Sequence, residues 1–148
     1  MLKNIPSNLS PDIVKALMEM GHGDEILIAD GNFPSASHTD NTLRLEGQST
    51  LEVLKSILYL MPLDEYESHA ILLMQPKEDE DTPDIWNKYN QILKKTGNGH
   101  IPVSTVYRFE FYEQAKNAYA IIATGEQSLY ANIMLRKGVI KKGEELKC

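Results

Sequence analysis

Four short runs constrain this chain more than anything else in it. They are Glu25–Ala29, His69–Met74, Tyr119–Thr124 and Tyr130–Leu135, each dominated by consecutive Ile, Leu, Ala or Met. A run of that length, apolar at successive positions, is a strand buried on both faces. Between the runs lie segments of helical spacing. Ser10-Pro11-Asp12 is a helix start, with Ser10 as N-cap, proline at the first position and an acid in the first turn. Ile13, Val14, Leu17 and Met18 follow at helical intervals up to Met20, and Gly21 stops the helix. Ser49-Thr50 opens a second helix through about Leu60, ended by Met61-Pro62-Leu63-Asp64, and Thr82-Pro83-Asp84 opens a third carrying Ile85, Trp86, Tyr89, Ile92 and Leu93. Phe111–Ala118 reads as a fourth. This alternation predicts an α/β domain over residues 1–140, one central sheet with helices on both faces, followed by a charged tail at 141–148.

The remaining segments are weaker. Leu43–Glu46 alternates apolar and polar residues as a short strand, and Ile101–Tyr107 reads as one strand interrupted at Pro102. Asn32–Thr42 is polar and reads as a long loop. The acidic stretch Glu78–Asp81 reads as a solvated connection.

Bulk properties narrow the function classes. The 148 residues fit one domain with one core. A net charge of −6 argues against a nucleic-acid partner. No apolar run approaches the ~20 residues that span a bilayer, and Met1–Pro6 lacks the apolar core of a signal peptide. The single cysteine, Cys148, precludes an internal disulfide, and a cytoplasmic protein is the simplest expectation.

Chemistry concentrates at the ends of the first strand. His22 stands between Gly21 and Gly23, ahead of Asp24-Glu25; Asp30-Gly31-Asn32-Phe33-Pro34 leaves the other end. The glycines allow a tight turn that holds His22 in the open, although the same turn serves equally as a plain helix stop. Loops leaving strand ends are where open α/β sheets bind ligands. His22 and Asp30 are too far apart along one strand, at ~3.3 Å per residue, to meet directly. They share a site only if loops fold back or a second subunit contributes. The other candidates are Arg108, Tyr112, Tyr130 and Asn132, with His38, His69 and His100 read as surface or structural histidines. Arg108 has an alternative as a surface charge and Tyr112 as ring packing at a helix start. No pair of histidines is close in sequence, so no metal site is expected, and no phosphate loop or nucleophile elbow is present. A near-neutral histidine beside Asp, Asn and tyrosines suits acid–base chemistry on a polyhydroxy ligand, a sugar above all.

Glu19–Glu25, Ala29–Pro34, Arg108–Glu113 and Thr124–Gly125–Glu126 with Tyr130–Ile133 and Lys137–Val139, in that order, resemble the fucose mutarotase and ribose pyranase family over Met1 to about Val139. The Phe-Tyr-Glu and Gly-His-Gly-Asp-Glu forms are similar to its fucose branch. The resemblance implies cofactor-independent exchange of the α and β anomers of L-fucose. It also implies a ring-like homo-oligomer, a decamer of pentamers, with sites between subunits. His22 matches the proton donor, Asp30 the sugar-binding carboxylate, Arg108 or Tyr112 a further sugar contact, and Tyr130–Asn132 the C-terminal binding segment. Tyr130, or a water, is then expected to handle the anomeric proton. The Ser35–Asn41 loop, the Glu78–Asp81 loop and the tail beyond Gly138 depart from the family pattern.

Overall fold

Eleven elements build a six-stranded sheet in the computed structural model, which describes residues 1–144. In chain order they are α1 (Pro11–Glu19), β1 (Glu25–Ala29), α2 (Ser35–His38), β2 (Thr42–Leu45), α3 (Thr50–Leu60), β3 (Ile71–Met74), α4 (Asp84–Lys95), β4 (Val103–Val106), α5 (Arg108–Lys116), β5 (Ala120–Thr124) and β6 (Ile133–Arg136). The sheet order is β2-β5-β1-β6-β3-β4. β2, β5 and β1 run parallel, as do β3 and β4, while β6 lies antiparallel between β1 and β3.

The expected two-sided burial follows from the strand period. Ile26, Ile28, Ile71, Leu73, Ala120, Ile122, Ile133 and Leu135 point to one face, where α1, α3 and α4 supply Ile13, Leu17, Leu54, Ile57, Ile85 and Tyr89. Leu27, Ala29, Leu72, Met74, Ile121 and Met134 point to the other, covered by Phe33 and by Phe111 and Ala115 of α5. Ser10 caps α1 through Ile13, and Ser49 closes a capping box with Glu52 at the start of α3. The α1 carbonyls left at its end are taken by Lys137 Nζ, which donates to Leu17 at 2.7 Å and also to Met20.

Five sequence expectations shift. The last strand begins at Ile133 rather than Tyr130. Tyr130 has φ 54°, outside strand geometry, and the carbonyls of Tyr130 and Ala131 accept from Trp86 Nε1 at 2.9 Å and the Tyr89 hydroxyl at 2.6 Å instead of a neighbouring strand. The 32–42 loop contains the short helix α2, whose carbonyl at Pro34 accepts from Ser37 Oγ and His38 Nδ1. Pairing of the strand expected from His69 starts at Ile71. The interrupted strand is paired only over Val103–Val106, because Ile101 N–H turns back to Asn98 and Pro102 has no N–H. Helix α5 starts three residues before Phe111, whose N–H bonds to the Tyr107 carbonyl at 2.9 Å. Cys148 lies outside the described residues, as does the second half of the expected tail, 145–148.

Gly138 follows β6 where the chain crosses Leu63 and Asp64. A Cβ there would stand 2.3 Å from the Leu63 carbonyl oxygen, against backbone that cannot yield. Gly138→Ala is expected to cost about 1–3 kcal/mol in denaturant unfolding. Gly47→Ala, with open space around its Cβ, is expected to stay within about 0.5 kcal/mol of the parent.

Candidate active site

The carboxyl ends of β1 and β5 and the approach to β6 meet at one edge of the sheet. Because β6 is reversed, its start lies beside the end of β1, and Asn132 meets Asp30 across 102 residues of sequence. Both are buried, at 3% and 5% exposure. Asp30 N–H donates to Asn132 Oδ1 at 2.8 Å, and Asn132 Nδ2 donates back to Asp30 Oδ2 at 3.0 Å. Asn32 N–H donates to the other carboxylate oxygen at 3.0 Å. Burial pushes the Asp30 carboxyl above its ordinary range, against the pull of hydrogen bonds from Asn32, Phe33, Asn132 and Ala131. Asp30 also borders a cavity of about 240 Å³ with Phe33, Ser35, Arg44 and Thr124.

An aromatic wall stands beside this clasp. Phe33 packs edge-on against Tyr112 at 5.4 Å, and His38 lies 5.0 Å from Tyr112, so the long polar loop contributes a ring. Arg108 stacks over Phe109 at 4.8 Å, and its positive charge favours the ionised form of Tyr130. Tyr112 and Tyr130 both pack against the core cluster containing Phe33 and Phe111. Asp30, Asn132, Tyr130, Tyr112 and Arg108 therefore gather at one end of the sheet.

His22 is at the other end. The five residues of β1 separate it from Asp30, roughly 16 Å of strand at ~3.3 Å per residue. Its turn is closed by Asp24 N–H to the Gly21 carbonyl at 3.2 Å, with Gly23 at φ 86°, a value suited to glycine in the third position of a type II turn. Gly23 N–H is in turn held by the Lys137 carbonyl at 2.9 Å. His22 projects from the corner, 47% exposed, with Nε2 3.2 Å from Asp64 Oδ1.

Asp64 is the candidate site residue without a signal of its own in the sequence, where it reads only as part of a helix ending. Its side chain is 1% exposed and also accepts from Tyr66 N–H at 3.0 Å. Burial pushes its carboxyl up, but the Tyr66 and His22 hydrogen bonds, with the charges of His22 and Arg136, outweigh this and hold it below the ordinary range. An ionised carboxylate only accepts, so His22 carries its proton on Nε2 and presents Nδ1 for exchange. Asp64 Oδ2 and Arg136 Nε are both buried without a hydrogen-bond partner among the described residues. A buried carboxylate at a sequence distance of 42 from the histidine carries no local signature; the only hint was an acid placed after an apolar helix.

Among the described residues, no group of three His, Cys, Asp or Glu side chains converges as metal ligands. Among the described residues, no helix is long and apolar enough to cross a membrane. A groove of about 680 Å³, lined mostly by apolar residues between Met1 and Glu19, shares none of the residues above.

The family described as the RbsD / FucU transport protein family matches residues 3–140. This chain belongs to that family. It is 43% identical to the fucose mutarotase of Danio rerio over 97% of each chain, and 42% identical to that of Homo sapiens over 94% of each. Among solved structures, the fucose mutarotase of Streptococcus pneumoniae in complex with L-fucose is 51% identical and superposes with a TM-score of 0.91, covering 95% of this chain and all of that one.

The two site carboxyls are displaced in opposite directions, which gives a direct test. Carboxyl carbon NMR across acid pH is expected to show Asp64 titrating below, and Asp30 above, an unperturbed aspartate at ~3.9. The stability that Asp64 contributes is then complete above about pH 4 and lost as pH falls through its lower folded value. Asp30 works with the opposite sign: its stability deficit is present above its raised folded value and relieved as pH falls through that value. Coincident titrations would contradict this account of the two environments.

Proposed function

We propose that this chain is a cofactor-independent L-fucose mutarotase, an isomerase that opens and recloses the sugar hemiacetal. The observation that carries this is the likeness, at half the residues and along nearly the whole chain, to the pneumococcal enzyme described with L-fucose. The site is suited to the chemistry. Opening the ring requires a proton delivered to the ring oxygen and one removed from the anomeric hydroxyl. His22, its Nε2–H held by Asp64, is the donor in its imidazolium form and gives up the Nδ1 proton. Tyr130 receives the anomeric proton. Asp30 and Asn132 position the hydroxyls, with Arg108 and Tyr112 at the rim. Spontaneous mutarotation is already fairly quick, so acid–base help of ~10²–10⁴-fold suffices.

Because His22 and Asp30 lie at opposite ends of β1, a complete site needs His22 from one subunit and Asp30 from another. This favours a homo-oligomer with sites between neighbours, for which we propose the ring-like decamer of pentamers. We take residues 1–140 as the catalytic domain and the cytoplasm as its location.

Saturation-transfer NMR at equilibrium measures the exchange without a coupling enzyme. L-Fucose anomers are expected to exchange faster with protein present. Acceleration with D-ribose alone would reassign the chain as a pyranase, and binding without acceleration would make it a sugar-binding protein. His22→Ala is expected to lower exchange by about 10²-fold or more while sparing binding. Mixing and reassembling inactive His22→Ala and Asp30→Asn subunits is expected to restore part of the activity; no restoration would overturn the shared site.

A further inference from the structure

The acidic loop before α4 is not used by the reaction as described so far, yet it reaches the site. The Tyr130 hydroxyl donates to Glu80 Oε2. That oxygen also accepts from Lys77 N–H at 3.2 Å, and Glu80 N–H returns to the Lys77 carbonyl at 3.0 Å, so the loop closes on itself around the carboxylate. Tyr130 is fixed at its backbone as well. Trp86 and Tyr89 of α4 hold the carbonyls of Tyr130 and Ala131, and the residue is kept at φ 54°. Four groups from two segments thus set one phenol in one direction, two residues from the Asp30–Asn132 clasp.

A neutral phenol is a poor base by itself. Its proton is already committed to Glu80, which leaves the oxygen's lone pairs facing away from that bond and open to a sugar hydroxyl. We propose that Glu80 is the positioning residue for Tyr130 and the terminal proton acceptor of a carboxylate–phenol relay in anomer exchange. This rests on the mutarotase reading above. As the ring opens, the anomeric O–H proton moves to Tyr130 Oη and the Tyr130 proton moves to Glu80 Oε2. The anomeric C=O forms, the bond from that carbon to the ring oxygen breaks, and the ring oxygen takes the Nδ1 proton of the His22 imidazolium, which is left neutral with its Nε2–H still on Asp64. Reclosure on the other face of the aldehyde runs every transfer backwards, so no proton or electron is left over.

The relay works only with Glu80 ionised. Its hydrogen bonds from Tyr130 and Lys77 hold the carboxyl below its ordinary range, while the same contact with Glu80 raises the Tyr130 phenol. The charged groups around the pair are Lys77, Glu78, Asp79 and Asp81 on the loop, Asp84 at the start of α4, and Arg108 from α5. Lys77 favours the ionised carboxylate, and Arg108 acts on the phenol.

The test is L-fucose exchange by saturation transfer between about pH 4 and 8 on the full chain. Glu80→Gln is expected to lower kcat about tenfold or more, with KM within about twofold, and to flatten the acid limb of the profile. Glu80→Asp should recover part of kcat. The Glu80→Gln, Tyr130→Phe double variant should be no slower than Tyr130→Phe alone, since both act on one proton path. Glu78→Gln, on the same loop, should match the parent. An active parent with unchanged kcat and pH profile in Glu80→Gln would overturn the relay and leave the mutarotase reading standing; so would a loss confined to KM. A parent that does not accelerate L-fucose exchange at all would overturn both.

Discussion

β6 is the strand on which the rest depends. It is the one reversed member of the sheet, wedged between β1 and β3. Reversal places its start at the carboxyl end of β1 and its finish at the amino end. Each end then gathers its own set of polar groups. The start carries Asn132 to Asp30; the finish offers the carbonyls of Arg136 and Lys137 to the N–H groups of Asp64 and Gly23. A parallel β6 would swap these ends, leave Asp30 buried without its amide partner, and free the His22 turn from its anchor.

The two ends are electrostatically different. Asp30 lies in a buried clasp whose hydrogen bonds fall short of the cost of burial, so it holds its proton more tightly than usual. Asp64 is as deeply enclosed, yet the imidazole and a backbone N–H more than offset that cost. The first carboxylate is held in a fixed position by its amide partner. The second keeps its charge and takes the Nε2 side of the imidazole. Two aspartates of one chain are thereby displaced in opposite directions by environment alone.

Much of this was legible in the residues. The four apolar runs and the helical spacings specified a sheet covered on both faces, because consecutive buried side chains leave no other arrangement. Gly21-His22-Gly23 marked a tight turn after α1, because glycine at both flanks lets the chain reverse there, and the structure places His22 in the open on it. Boundaries were less legible where tertiary contacts decided them. Tyr130 reads as strand by composition, but Trp86 and Tyr89 claim the carbonyls of residues 130 and 131 and pull the segment out of the ladder. Glu80 reads as one acid among several in a solvated loop, and nothing local marks it as the partner of Tyr130.

The sequence by itself determined the fold class, the helix caps and the identity of the groups able to do acid–base chemistry, since these follow from spacing and side-chain type within a few residues. Tertiary structure alone decided which of those groups meet. The pairs Asp30–Asn132, His22–Asp64 and Tyr130–Glu80 are 102, 42 and 50 residues apart. Their contact depends on strand order and on the direction of β6, which no local pattern encodes. The separation of His22 from Asp30 has the same origin: both flank one extended strand, and a strand holds its two ends apart.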